Sequence, residues 1–540
     1  MSRVQALQRT VDGWLTGRRA VIASITTFSA VALVAATPRS PFHPVLPESQ
    51  GNGPIGMLAH LFFLDRLPHG VLIVIGFTAM IAAGIAFLLV LLAAERGEVS
   101  TRTVVTLAVA YHAVVLMLPL LLSRDVFSYA FYGRILSRYG QNPYVSTPAD
   151  FPANDISRFV WPGWRDTPSV YGPMFVWLAA AITAVFRGLA DVIEAFRAVA
   201  VMASLGSLWF VVRLVGRVRP QRQAYAAALI GLNPVVLFHT VGGGHVDVLV
   251  MLAVAAAVYL VATQRELPAT VALTVGALVK ISAAVPLVLL IAYVVTRTEP
   301  ARRWRVLAAH VGTAMAITFV AALPFMQRSN PTLGMVELVQ HGSWIAPPAL
   351  VERIFEAVGS GVAGDLGGSA GVVLARLGMF AALAAGLFTI MRQVVRHAAE
   401  GSVSFLASAW GWSFLLMMLF SPTLFPWYFA WMLPVAWALP RVPRRTLELS
   451  FIALVTAQLT TENFLLPEWM HIDLAIGHPI LVIVLVWFLR DLYLRLKHDV
   501  PLDAETDVVL LHRASGAELM AGDTDRRPGA DDRPTADHQA

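Results

Sequence analysis

The chain reads as a series of long apolar runs separated by arginines, and most runs approach the ~20 residues that a helix needs to cross a bilayer. Val21 to Ala36 follows Arg3, Arg9, Arg18 and Arg19. No Ala-x-Ala-like site followed by a soluble domain comes after it, so it is read as a retained span and not as a cleaved signal. Gly70 to Ala94 and Val104 to Leu122 come next, with Arg96 and Arg102 between them. The positive-inside rule then places residues 1–20 in the cytoplasm and residues 123–173 on the outer side. Met174 to Phe186 is too short to cross. If it did cross, Arg213, Arg217, Arg219 and Arg222, which follow the span Ala195 to Val212, would lie outside. It is therefore expected to lie along the outer interface as a juxtamembrane helix.

Tyr225 to Val241 leads out to Gly242-Gly243-Gly244-His245-Val246-Asp247, and Val248 to Thr263 returns to Arg265. Ala269 to Thr296 has arginines near both ends and is too long for one span and too short for two. A re-entrant hairpin with Lys280-Ile281-Ser282 near its tip is expected. Val306 to Phe325 and Val372 to Met391 flank a second outer loop, 326–370, with Glu337, His341, Trp344 and Pro347-Pro348. Phe405 to Phe420, an outer turn from Ser421 to Tyr428, a short span to Pro440, and spans at Leu449 to Leu466 and Ile480 to Leu494 complete the series. The expected fold is an all-α polytopic bundle of about 12 crossings plus the hairpin, occupying residues 21–497. Residues 498–540, rich in Asp and Glu, are expected to be a disordered acidic cytoplasmic tail.

Composition agrees with this pattern. The 540 residues are 57% hydrophobic and 14% charged, with a mean hydropathy of +0.67, too apolar for a water-facing surface. This is the composition of a polytopic helical membrane protein, and the plasma membrane is its expected location. The formal charge of +6 is carried by arginine, since only Lys280 and Lys497 are lysines. Its scatter between spans argues for setting orientation and against nucleic acid. The absence of cysteine excludes disulfides, thiolate metal sites and cysteine nucleophiles.

Residues 123–173 carry the candidate chemistry. Asp125 stands at the outer end of a span, where a carboxylate is costly, and Val126 to Tyr139 can continue as a helix with Arg134 and Arg138 on one face. The alternative is that Ser123 or Asp125 only caps that helix. Lys280 is a lone ammonium in a sequence that writes its cations as Arg, which suggests a use for a compact charge, against a snorkelling or helix-end role. His245 and Asp247 follow three glycines, where backbone can approach a ligand, or they form a turn and a cap. Arg134, Arg138 and Arg165 suit phosphate or headgroups equally. Trp161, Trp164, Trp344 and Trp427 suit sugar faces or the membrane interface.

Ser-Arg-Asp-Val-x-Ser-Tyr at 123–129, Gly-x-Asn-Pro-Tyr at 140–144, Tyr-Gly-Pro at 171–173, Leu-Asn-Pro at 232–234, Gly-Gly-Gly-His-x-Asp at 242–247, Leu-Val-Lys at 278–280 and Pro-Trp-Tyr at 426–428 occur in that order. Together they resemble the GT-C glycosyltransferases that use polyprenyl-phosphate sugars, most of all the actinobacterial polyprenol-phosphate-mannose-dependent alpha-mannosyltransferases. The resemblance spans about residues 100 to 435, and the order and spacing of the motifs carry it. It implies inverting transfer of a sugar, mannose, from a polyprenyl-phosphate donor to a glycolipid or glycan hydroxyl at the outer face. On that reading Asp125 is the general base, with Asp166, Asp247 or Glu337 as substitutes. Arg134, Arg138, Arg165, His245, Asp247 and Lys280 would contact the donor phosphate or the acceptor. Tyr129, Tyr144, Tyr171, Trp344, Trp427 and Tyr428 would contact sugar or lipid. Many such enzymes carry two adjacent acidic residues where this chain has Arg124-Asp125, which weakens the inference of a divalent metal, and no cofactor is implied. The rival reading is a secondary transporter or lipid flippase, and after it a membrane scaffold.

Overall fold

The computed structural model describes residues 16–44, 46, 53–326, 347–399, 401–421, 424–441, 443–445, 447–448 and 478–505. Every regular element among them is helical: α1 (Gly17–Ala35), α2 (Gly53–Leu61), α3 (His69–Glu95), α4 (Thr101–Leu116), α5 (Asp125–Ser137), α6 (Pro173–Val185), α7 (Leu189–Val218), α8 (Gln223–Gly231), α9 (Asp247–Ala262), α10 (Glu266–Val279), α11 (Ala284–Arg297), α12 (Arg303–Ala322), α13 (Pro347–His397), α14 (Val403–Phe420) and α15 (His478–Lys497). Seven segments among the described residues are long and apolar enough to cross a membrane: α1, α3, α7, α14, Pro220–Val241, Pro300–Phe325 and Val351–His397. The polytopic helical class is as expected. The other expected crossings fall on shorter apolar helices, on α15, on the turns of 426–440, and on 449–466, which lies outside the described residues.

Several boundaries differ from the apolar pattern, and proline explains two of them. The run Val104 to Leu122 is not one helix: α4, capped by Ser100 accepting from Thr103 N at 3.1 Å, stops at Leu116. Pro119 has no N–H to give and disfavours helix in the residue before it. The short span ending at Pro440 is a string of 3₁₀ turns, Pro426–Met432 and Ala436–Ala438, divided by Pro434 and buried throughout. Of the segment 326–370, expected as a second outer loop, Pro347 onward is helical. α13 breaks at Ala363 and Gly364, where Gly364 takes φ +59. Its limbs fold back on each other, with Arg376 Nε and Nη2 each donating to Glu352 at 3.1 Å. Residues 327–346, with Glu337, His341 and Trp344, lie outside the described residues.

α10 and α11 are separated at Lys280 and pack against each other and against α12. Residues 498–505, at the start of the expected tail, are packed on the bundle. Leu502 is buried, and its carbonyl accepts from Ser408 Oγ at 2.8 Å and Trp412 Nε1 at 3.1 Å. Residues 506–540 lie outside the described residues.

Two apolar cores organise the helices. The larger joins α1, α3, α4, α7 to α11, α14 and residues 426–439. In lipid such packing rests on close van der Waals contact and internal hydrogen bonds, since no water is released between helices. The smaller is built from α5, α6, the start of α7 and the loop residues Tyr144, Ile156, Phe159 and Val160. This second core makes the stretch 123–173 a folded cap. The candidate site lies where the two cores meet.

Candidate active site

Asp125 opens α5 and is reached through a tightly held approach. Leu122 has φ +60, with Ser123 N donating to Leu121 O at 2.7 Å in a three-residue turn. Leu121 N donates to Gly242 O at 3.1 Å and Leu122 N to Phe42 O at 2.8 Å, so this strained turn is fixed from two sides. Asp125 N donates to Ser123 Oγ at 3.2 Å, which ties the first residue of α5 to the turn before it. The Asp125 carboxylate is one quarter exposed.

The partner segment owes its shape to Leu-Asn-Pro. Pro234 interrupts the helix pattern after α8, and Asn233 Oδ1 accepts from Val235 N at 2.9 Å. The chain then widens into a π-helical turn, Val235–Val241, and His245 N bonds back five residues to Thr240 O at 2.8 Å. Such turns recur at functional sites because they re-aim side chains. Here the turn delivers His245 to Asp125. His245 Nδ1 lies 3.5 Å from the Asp125 carboxylate and 3.4 Å from the Tyr129 hydroxyl, which accepts from Tyr171 Oη at 3.3 Å. The His245 ring stacks on Trp427 at 3.6 Å between centroids, and Trp427 on Phe425 at 4.8 Å.

Beside this group, Lys280 Nζ donates to Asp247 Oδ1 at 2.7 Å, and Trp431 Nε1 donates to the same oxygen at 2.8 Å. The ammonium sits 3.9 Å from the Tyr428 ring centroid and 5.0 Å from that of Trp431, a cation held against aromatic faces. Asp247 Oδ2 and His245 Nε2 are buried with no hydrogen-bond partner. An unmatched buried polar atom costs about 1–3 kcal/mol, and such atoms persist where a ligand completes them.

The cap closes on the end of α10 through Gly172, whose N donates to Val279 O at 3.0 Å. A Cβ there would stand 2.1 Å from Leu278 O. Gly172→Ala should therefore lose about 1–3 kcal/mol and much of the activity, read by thermal unfolding and turnover; wild-type behaviour in both would show that the junction is dispensable. Tyr144 braces the same corner, donating to Tyr171 O at 2.7 Å, and burial holds its phenol well above the ordinary value, so it remains a donor.

The structure thus gathers Asp125, Tyr129, Tyr171, His245, Asp247, Lys280, Trp427 and Tyr428. The three expected arginines are hydrogen-bonded within the cap. Arg134 is buried against Asp155, Asn154 Oδ1 at 3.0 Å and Arg187 O at 3.2 Å. Arg138 also donates to Arg187 O at 3.2 Å, and Arg165 donates to Val160 O at 3.3 Å. Asp166 is exposed. Trp431 was missed, although it lies one helical turn beyond Trp427 in the same aromatic run. Among the described residues no three His, Asp or Glu side chains gather closely enough to hold a metal ion.

A family model described as "Alpha-(1->6)-mannopyranosyltransferase, N-terminal domain" matches residues 21–297, a segment that contains Asp125, His245, Asp247 and Lys280. The chain belongs to this family. Alpha-(1->6)-mannopyranosyltransferase A of Mycobacterium tuberculosis is 26% identical over 362 residues, 64% of this chain and 67% of the relative. Alpha-(1->6)-mannopyranosyltransferase A of Corynebacterium glutamicum is 25% identical over 331 residues, 57% and 65%. A Mycolicibacterium smegmatis protein named as a probable alpha-(1->6)-mannopyranosyltransferase is 28% identical over 364 residues, 60% and 63%. The chain spans about two thirds of the length of the relatives that it matches. The family match stops short of the aromatic run Pro426–Met432, which nevertheless packs onto the matched residues His245, Asp247 and Lys280.

Proposed function

We propose that this chain transfers mannose from a polyprenyl-phosphate donor to a hydroxyl of a glycolipid or glycan at the outer face of the membrane, with inversion and an alpha-(1->6) product. The observation that carries the reading is a partly open carboxylate, Asp125, set 3.5 Å from His245 and beside a buried ammonium under aromatic rings, in a chain of this family. The acceptor oxygen attacks the anomeric carbon, and its proton passes to the Asp125 carboxylate. The bond from that carbon to the phosphate oxygen breaks, with its electron pair leaving on the phosphate. Such a leaving group needs no general acid, and Lys280 supplies the positive charge that receives it. Trp427 and Tyr428 offer faces for the sugar ring.

The donor's hydrocarbon chain has a fitting neighbour. An apolar groove of about 540 Å³, lined by Met174, Trp177, Ala316, Ile317, Val320 and Ala321, opens between α6 and the end of α12. α6 starts at the Gly172 junction, one residue from Lys280 across the Val279 hydrogen bond, so a phosphate near Lys280 can lead its chain into that groove.

Purified protein given polyprenyl-phosphate mannose labelled in the sugar should extend an alkyl mannoside, and nucleotide-linked mannose should not replace the donor. A folded preparation that uses the nucleotide sugar, or neither donor, would contradict the reading. The outer location of the site and the re-entrant hairpin of α10 and α11 belong to the same proposal. Reporters fused after Arg222 and after Arg305 should both report cytoplasm, and a label at residue 150 should react from outside. An external Arg222 would overturn the juxtamembrane placing of α6 and the site's sidedness with it.

A further inference from the structure

Arg197 is buried completely in the middle of the protein, on α7, and no motif drew attention to it. Its guanidinium donates to Leu118 O at 2.7 Å, just past the end of α4, and to Val115 O in the last turn of α4, which also accepts from Leu118 N at 3.1 Å. A cation is favoured there by the helix dipole. The same nitrogen that bonds Leu118 donates to both oxygens of Glu194, at 2.7 and 2.9 Å, which aims the group from its own helix. The aliphatic stem lies against the glycine turn: a methyl group added to Gly244 would meet Arg197 Cγ at 3.4 Å and Val126 at 3.5 Å. Gly244 itself takes φ +68, a conformation natural to glycine.

One side chain therefore bonds the first of the two segments that deliver the candidate catalytic groups and borders the second. Leu118 leads through the strained turn at Leu122 to Asp125, and Gly244 is followed by His245. The carboxylate of Asp125 and the ring of His245 come from distant parts of the chain; the hydrogen bond from Leu121 N to Gly242 O joins the two segments, and Arg197 lies beside both.

We infer that Arg197 is a positioning residue that sets the placement of Asp125 relative to His245. The inference rests on the reading of Asp125 as the base. A misplacement of about 1 Å at a reacting group can cost about a hundredfold in rate, without loss of substrate binding.

The test is a double-mutant cycle on the purified full chain, with labelled polyprenyl-phosphate mannose, an alkyl mannoside and the variants Arg197→Lys, Asp125→Asn and both together. Lysine keeps the buried charge opposite Glu194 and loses the two-pronged hold on the carbonyls. Arg197→Lys should lower kcat by about tenfold to a hundredfold with the donor KM kept. In the Asp125→Asn background the same change should cost less than about twofold, because there is no base left to misplace. Equal losses in both backgrounds, or wild-type kcat in Arg197→Lys, would overturn the inference and leave the base assignment standing. Near wild-type turnover in Asp125→Asn alone would overturn both. If Arg197→Lys does not fold, Glu194→Gln carries the same cycle, with an expected loss of about threefold to tenfold that again vanishes beside Asp125→Asn.

Discussion

Asp125→Asn should fold, bind the donor lipid and turn over at least about a hundredfold more slowly than the wild type. Asparagine is nearly the same size and keeps the oxygen, so the local packing at the start of α5 is preserved. It cannot take a proton from an incoming hydroxyl. Ser123 Oγ accepts from Asp125 N at this turn, and that contact is untouched by the substitution. Loss of a cap would cost about 0.5–2 kcal/mol of stability and leave the rate of the folded protein alone. Turnover measured per folded molecule separates the two. A rate within a few fold of wild type would send the search for a base to Asp247, which is buried against Lys280.

Lys280→Met should abolish transfer and also reduce the yield of folded protein. From the sequence alone those outcomes looked like alternatives, one functional and one structural. The buried pair joins them, since Asp247 loses its cation and keeps only the Trp431 N–H on that oxygen. Breaking a buried pair from one side costs about 3–5 kcal/mol, whereas removing both charges is far cheaper. Lys280→Met combined with Asp247→Leu should therefore recover folded protein in detergent without recovering transfer. Lys280→Arg should fold and be impaired, because a flat fork does not fit a site shaped around a compact ammonium beneath Tyr428. Wild-type turnover in the double variant would make the pair a structural brace only.

The helical class and much of the site were legible in the sequence for different reasons. Apolar runs of membrane length announce helices, but they do not announce where proline stops them, so the ends at Leu116 and across 426–440 were missed. The motif residues at 123–129, 171–173, 242–247, 278–280 and 426–428 were singled out one by one, and the structure brings them to one place. Order along the chain could not reveal which of them touch. Lone polar residues in apolar surroundings, Asp125 and Lys280, were found because their cost demands a use. The arginines of the cap were less legible. Arg134 and Arg138 reach the carbonyl of Arg187, a contact 49 or more residues away that no local pattern encodes. Arg197 was not singled out: it stands at the start of the run Ala195 to Val212, and its partners at 115 and 118 are seen only in the fold.

The most direct check of the mechanism is the anomeric configuration of the product, read by NMR on the mannoside formed by purified protein from a beta-linked polyprenyl-phosphate donor. A single displacement with Asp125 as base gives an alpha-linked product. A beta-linked product would require two displacements or a different donor, and would contradict the account.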